Sequence, residues 1–141
     1  MVVPGRYLRI LALIVLCAIV AAPASALIKD SERRTARLVN QERAERGLRR
    51  VDLREGLSDL ARRHSRRMAE RGDIFHSFLS RYGCSDVAEN VGMGSSVRAV
   101  HNAFMASGPH RDVILRAKWR RLGVGIVKAG GLVWVTEVFC T

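Results

Sequence analysis

The chain has 141 residues, of which 24 are Lys or Arg and 13 are Asp or Glu, so its formal net charge is +11 at pH 7. Such an excess of positive charge indicates anionic surroundings, such as cell-envelope polymers or lipid surfaces. Nucleic acid is not an expected partner, because few aromatic residues lie among the arginines and the stacking platforms of single-strand binders are missing.

The N-terminal segment predicts export. Arg6 and Arg9 form a basic start, residues 10–22 are an uninterrupted apolar run, and small residues follow as signal peptidase requires. The run falls short of the roughly 20 residues that span a bilayer, which favours a cleaved signal peptide at residues 1–26 over an uncleaved anchor. The rest, residues 27–141, has the size of one domain and keeps 22 of the 24 Lys and Arg and all 13 acids, a net charge of +9. We therefore expect a secreted, monomeric, basic protein.

Two cysteines remain after removal of the signal peptide, Cys84 and Cys140. Export places them in an oxidising compartment, where a pair tends to form a disulfide bond. The bond would fasten the loop before Glu89 to the end of the chain and stabilise the fold by roughly 4 kcal/mol through loop closure. Two unpaired thiols are the alternative.

The first predicted helix begins at Asp30 or Ser31 and ends where Gly47 supplies a left-handed cap. Its inward stripe consists of Thr35, Leu38, Val39 and Glu42. A short extended connector follows, in which apolar residues alternate with polar ones; these are Leu48, Val51 and Leu53.

A second helix is predicted from Arg54 to Arg71, with Gly72 at its end. Its apolar face is formed by Leu57, Leu60, Ala61, His64 and Met68. His64 on this face is either a ligand or a core histidine satisfied by a hydrogen bond, and the second interpretation is favoured. The opposite side carries a basic band, which is a solvated face or an anion-binding surface; the band consists of Arg62, Arg63, Arg66 and Arg67.

A third helix is predicted over residues 96–107, with His101 beside its apolar face. That face consists of Val97, Val100, Ala103 and Phe104. Gly108-Pro109 ends the helix and leads into His110, and a short helix is predicted over residues 112–118. Two strands then follow, residues 123–128 and 132–139, joined by a turn at Ala129-Gly130-Gly131. In the second strand, Val133, Val135, Glu137 and Phe139 share one face, and Leu132, Trp134, Thr136 and Val138 share the other.

Glu89, His110 and the upstream His76 are the candidate site residues. Two imidazoles and one carboxylate could hold Zn²⁺ or another divalent cation with a position left for water, as a hydrolytic site requires. Their wide spacing gives no local metal motif, and neither an H-E-x-x-H pair nor a nucleophile elbow accompanies them. The residues alone therefore leave metal binding and catalysis open.

Several segments together resemble the CAP superfamily, which includes cysteine-rich secretory proteins, insect antigen 5 and plant pathogenesis-related proteins, and in particular its short secreted bacterial members. In chain order these segments are LVNQERAERGL, LARRHSRRMAERG, FHS, AEN, AFMASGPHRDVIL and VWVTEVF. The resemblance implies an α/β fold, a three-layer α-β-α sandwich with a small, mostly antiparallel sheet, and an open cavity lined by two histidines and two acids.

His76, Glu89 and His110 match three of those four cavity positions, and Ser107 stands where larger members have a glutamate. Glu137, in place of a frequent glutamine, could supply the second carboxylate if its side chain points into the cavity. The resemblance implies a non-enzymatic module that binds a lipid, peptide or envelope ligand. The alternatives are a metal-assisted, protease-like hydrolase at the same cavity, and a purely electrostatic envelope binder.

Overall fold

A computed structural model describes helices and strands over residues 24–141, with side chains from residue 29 onward. In chain order the elements are α1 (Ala24–Ala44), β1 (Asp52–Leu53), α2 (Glu55–Arg71), a 3-10 helix (Leu79–Tyr82), β2 (Val87–Gly94), α3 (Val97–Ala106), α4 (Gly108–Leu115), β3 (Arg121–Ala129) and β4 (Leu132–Cys140). The apolar run of the predicted signal peptide lies outside the described residues, so the signal peptide stays a prediction. Among residues 24–141, none of the helices combines the length and the apolar composition that a membrane span requires.

The four strands form one sheet in the order β1-β3-β4-β2. Only the short β1 pairs in parallel, with β3, and the other pairs are antiparallel. The predicted hairpin is confirmed, because Gly130 and Gly131 join β3 to β4 with φ angles of 59° and 74°, a conformation that glycine adopts without strain. The sheet is therefore mostly antiparallel, as expected.

Side chains from the two faces of the sheet enter different parts of the core, which confirms the three-layer sandwich. Val133, Val135 and Phe139 of β4 pack with residues of α1, α3 and α4. Val138 lies in a cluster with Leu57 and Ala61 of α2, on the other face. Both faces of β4 are buried: α2 and Tyr82 of the 3-10 helix cover one of them, and α1, α3 and α4 cover the other.

Helix α2 lies unusually close to the sheet because glycines occupy two positions of β3 below it. A Cβ atom added to Gly125 would lie 2.1 Å from the carbonyl carbon of Ala61, and one on Gly123 would lie 2.5 Å from Leu57 Cβ. Ser65 of α2 fastens the contact, since its hydroxyl donates to Gly125 O at 2.9 Å. The sequence of β3 thus sets the depth at which α2 packs.

Two helices begin earlier than predicted. Helix α1 already includes residue 24, and Asp30 lies inside it, where its carboxylate pairs with Arg33 and does not cap the helix. Helix α4 begins at Gly108, with Pro109 in its first turn, where the missing N–H costs no hydrogen bond. His110 is therefore part of a helix rather than of a turn.

The prediction for His101 was wrong, because this side chain is buried rather than set beside the core. Helix α1 packs against this side of α3 and brings Glu42 Oε1 to 3.8 Å from His101 Nε2. A single helix read from its sequence does not show which neighbour covers its flank.

The predicted disulfide bond is confirmed, since Cys84 and Cys140 are bonded with a Cα–Cα distance of 5.7 Å. Cys140 ends β4 and pairs in register with Val87 at the start of β2. The bond therefore holds the loop before β2 against the last strand of the sheet.

Candidate functional site

The site is organised by two consecutive residues of the edge strand β2. Glu89 lies opposite Val138 and faces α2, whereas Asn90 lies opposite Glu137 and faces the other side of the sheet. Glu89 holds the side chain of His76, and Asn90 Nδ2 donates to the backbone carbonyl of His110 at 3.1 Å. One strand thus anchors two histidine segments that come from the two outer layers.

The Glu89 side chain is buried and accepts hydrogen bonds from four donors. Oε1 lies 2.9 Å from the Ser77 amide nitrogen and 3.1 Å from His76 Nδ1. Oε2 accepts from the Ser77 hydroxyl at 2.6 Å and from the Tyr82 hydroxyl at 2.8 Å. Burial raises the pKa of Tyr82, so that hydroxyl keeps its proton and acts as a donor. Glu89 is consequently a positioning residue for the His76 loop.

Sequence reasoning missed Ser77, Tyr82 and Asn90 as parts of this site. Ser77 and Asn90 stand directly beside predicted site residues, in the motifs FHS and AEN. The alternation along a strand could have indicated that Asn90 faces away from Glu89. Nothing in the sequence links Tyr82 to Glu89, because that contact depends on the turn made by the 3-10 helix.

The loop that carries His76 is braced from below by α2. His64 Nε2 donates to Phe75 O at 2.7 Å, and the two rings meet edge to face with centroids 5.1 Å apart. Arg67 Nη2 lies 3.1 Å from the other ring nitrogen of His64, and burial lowers the pKa of this imidazole. The favoured interpretation of His64 as a core histidine is confirmed. With the loop fixed, the His76 side chain stays 63% exposed.

His110 is held by the segment between α3 and α4. Its Nδ1 lies 2.8 Å from the Ser107 hydroxyl, and its ring stacks on Phe104 with centroids 5.0 Å apart. Burial lowers the pKa of His110, and the nearby imidazole of His76 lowers it further. Ser107, which stands where larger members have a glutamate, is thus a neutral hydrogen-bond partner of His110.

Glu137 does not line an open cavity. The residue is fully buried and lies on the face of the sheet opposite to Glu89. Burial raises its pKa to about 8, and Asn90 Nδ2 is 3.5 Å from one of its oxygens. The structure therefore does not bring this carboxylate to the His76 side chain.

The geometry offers little support for hydrolysis. In a Ser-His-acid triad the hydroxyl contacts the imidazole nitrogen opposite the acid, but here Ser77 and His76 both contact the same carboxylate, Glu89. The predicted metal ligands His76, His110 and Glu89 also fit poorly, since four donors already engage Glu89. Within residues 24–141 no group of three or more His, Cys, Asp or Glu side chains is placed to hold a metal ion.

The basic band predicted on α2 is divided. Arg62 forms ion pairs with Glu32 at 2.8 Å and Asp59 at 2.6 Å, and is only partly exposed. Arg67 contacts His64, which leaves Arg63 and Arg66 as the exposed members of the band. The four residues do not form one uniform cationic surface.

A family model and one curated protein match the sequence. The model of the family described as CAP, the cysteine-rich secretory protein family, matches residues 36–139. The uncharacterized protein YkwD of Bacillus subtilis (strain 168) is 29% identical over 129 residues, which cover 83% of this chain and 49% of YkwD. The chain thus spans about half the length of this curated relative.

Solved structures share the fold at low sequence identity. An extracellular protein containing an SCP domain from Bacillus anthracis superposes with a TM-score of 0.73 at 20% identity, over 85% of this chain and 45% of its own. An outer surface protein of Borrelia burgdorferi gives a TM-score of 0.71 at 16% identity, over 79% of this chain and 92% of its own. At these identities the likeness establishes the sandwich architecture alone.

Proposed function

Because the chain belongs to the CAP family of cysteine-rich secretory proteins, we propose that it is a secreted, non-enzymatic binding protein. Its ligand is a lipid, a peptide or a cell-envelope component, held where the His76 and His110 segments meet the edge strand β2. Secretion is supported by the export signal in the sequence and by structural neighbours that are described as extracellular or outer-surface proteins.

The observation that carries this proposal is the saturation of Glu89. A general base needs a free lone pair aimed at its substrate. Each of the two carboxylate oxygens of Glu89 already accepts two hydrogen bonds within the protein. The carboxylate fixes His76 with its Nδ1 turned inward, so the outer edge of an exposed imidazole is presented to solvent. A fixed polar group of this kind beside a strand edge is suited to hydrogen-bonding a ligand, and the neighbouring Ser77 hydroxyl is bonded to Glu89 rather than to the imidazole.

The proposal is tested by binding and cleavage assays on the same samples. The purified protein is incubated with vesicles of total membrane lipid, with cell-wall fragments and with a peptide mixture, and the variant His76→Ala/His110→Ala is compared with Asn102→Ala, an exposed control on α3. We expect saturable binding to one of the three, at least tenfold weaker in the double variant and unchanged in the control. Mass spectrometry should recover the bound material intact; catalytic cleavage would overturn the proposal in favour of a hydrolase.

The response to added metal distinguishes the proposed binding protein from the alternative, a metal-assisted hydrolase. With Glu89 engaged, the described residues would offer a cation at this site the Nε2 atoms of His76 and His110, fewer than the three protein ligands that catalytic zinc sites use. Added Zn²⁺ should therefore raise the melting temperature little. A large rise that is lost in His76→Ala would support the metal-assisted alternative, because a tightly bound ion stabilises the folded state by mass action.

A further inference from the structure

A second concave site lies away from the histidines, at the end of the sheet where the β3-β4 hairpin meets the start of α3. It is an open cavity of about 590 Å³, within the range of small-molecule sites. Helix α1 contributes Arg34, the N-terminal turn of α3 contributes Arg98, and the hairpin contributes Lys128 and its two glycines. His76, Glu89 and His110 take no part in its wall.

The charge of this cavity is one-sided. Among the residues that the structure describes, three cationic side chains line it and no acidic one does. None of the three, Arg34, Arg98 and Lys128, forms an ion pair with a described residue. Asp30, one turn before Arg34, already pairs with Arg33. Like charges around a concave surface repel each other and concentrate a positive potential, which a bound anion would relieve.

The rest of the wall provides neutral donors and an apolar floor. Ser96 caps α3 by accepting from the Ala99 amide at 3.1 Å, which leaves its own hydroxyl proton available for another acceptor. The first amides of α3, those of Val97 and Arg98, lack partners within the helix, as in any helix start. Val97, Leu132 and Val133 add apolar surface beside the cations.

We infer that this cavity binds a phosphate-bearing ligand. Three cations match a phosphate monoester, which carries close to two negative charges, better than a single carboxylate, and guanidinium groups bind phosphate oxygens in a bidentate manner. The volume exceeds that of phosphate alone and leaves room for the organic part of a phosphate ester, whose carbon atoms can contact the apolar side chains. The phosphate comes from a soluble ester or from a lipid headgroup, and the inference does not depend on the function proposed for the histidine site.

Binding is measured with glycerol 3-phosphate and inorganic phosphate in one arm, and with phosphatidylcholine vesicles containing phosphatidic acid in the other. The amide resonances of Gly130 and Gly131 report on the cavity. The test variant is Arg34→Gln/Arg98→Gln/Lys128→Gln. The control, Arg50→Gln/Arg63→Gln/Arg66→Gln, removes the same charge from exposed positions outside the cavity.

We expect glycerol 3-phosphate to shift both glycine resonances, and the test variant to bind at least tenfold more weakly while the control changes less than threefold. Binding to vesicles alone, lost in the test variant only, would assign the phosphate to a lipid headgroup at the same site. The inference is overturned when neither arm shows binding, or when test variant and control lose affinity equally, since the attraction would then be a property of net charge.

Discussion

At the scale of single residues, two buried glutamates one strand apart have opposite roles. Glu89 accepts from four donors and holds a loop. Glu137 has one long contact, to Asn90, and among the described residues its Oε1 has no hydrogen-bond partner. Because burial raises the pKa of Glu137 to about 8, this side chain keeps its proton at neutral pH. Glu89 can hold a loop because four donors bind its carboxylate. Glu137 lacks such donors and is a protonated acid in the core.

Glu137 should therefore make the protein less stable as the pH rises. Between the unfolded pKa of about 4.5 and the folded pKa of about 8, the folded chain holds a proton that the unfolded chain releases. The free energy of unfolding should fall through this window by up to about 1.4 kcal/mol per pH unit. Glu137→Gln should remove this slope and exceed the wild type in stability at pH 8, as measured by urea unfolding over a pH series.

The titration of the buried histidines does not interfere with the comparison of Glu137→Gln and wild type. Burial lowers the pKa of His64, His101 and His110, so these groups oppose folding as the pH falls through about 6.5 and give a slope of the opposite sign. They are present in both proteins, and the difference between the two curves isolates Glu137. Parallel curves would show that Glu137 is ionised in the folded state at neutral pH.

At the scale of elements, the contact between α2 and β3 depends on missing side chains. A methyl group on Gly125 would lie 2.1 Å from the backbone of Ala61 and 2.2 Å from that of Arg62. Backbone atoms cannot relieve such a clash by changing rotamer, as a side chain can. Gly125→Ala should push α2 from the sheet and cost roughly 3 kcal/mol or more, as overpacked cores do. Loosening α2 should also disturb His64 and the His76 loop that it braces.

The matched control is Gly56→Ala in the first turn of the same helix. A Cβ there meets nothing within 4 Å, so alanine should leave the fold intact and stabilise it by up to about 1 kcal/mol through the lower entropy of the unfolded chain. Urea midpoints of the two variants should move in opposite directions. A Gly125→Ala protein as stable as the wild type would mean that the close approach of α2 is not required.

At the scale of the whole molecule, local patterns predicted the helices and the β3-β4 hairpin, but they predicted neither the edge strand β2 nor the contacts between elements. The α2 face, the hairpin and the β4 alternation follow from spacings within one segment, which the sequence displays directly. The burial of Arg43 does not, since this guanidinium donates to Ile114 O and Arg116 O more than 70 positions away. For the site, the residue types of His76, Glu89 and His110 could be read, but the division of Glu89 and Glu137 between two faces depended on pairing β2 with β4.

The Cys84–Cys140 bond acts on the whole molecule, because it joins the segment before β2 to the end of the chain across 56 positions. Closing a loop of that length restricts the unfolded chain, so Cys84→Ala/Cys140→Ala should lose roughly 4 kcal/mol of stability. The bond also lies at the end of β2 that leads into Glu89, where Val87 pairs with Cys140. Hydrogen exchange of β2 amides should therefore accelerate more than that of α1 amides.

A reducing agent added to the wild type supplies the control, because it breaks the same bond without changing a side chain. Reduced wild type and the double variant should share one urea midpoint below that of the oxidised protein. If the variant matched the oxidised protein in stability and β2 exchange, the sheet would hold its edge strand without the bond. The pairing of β2 with β4 would then be enough to position Glu89 and Asn90 without the disulfide bond.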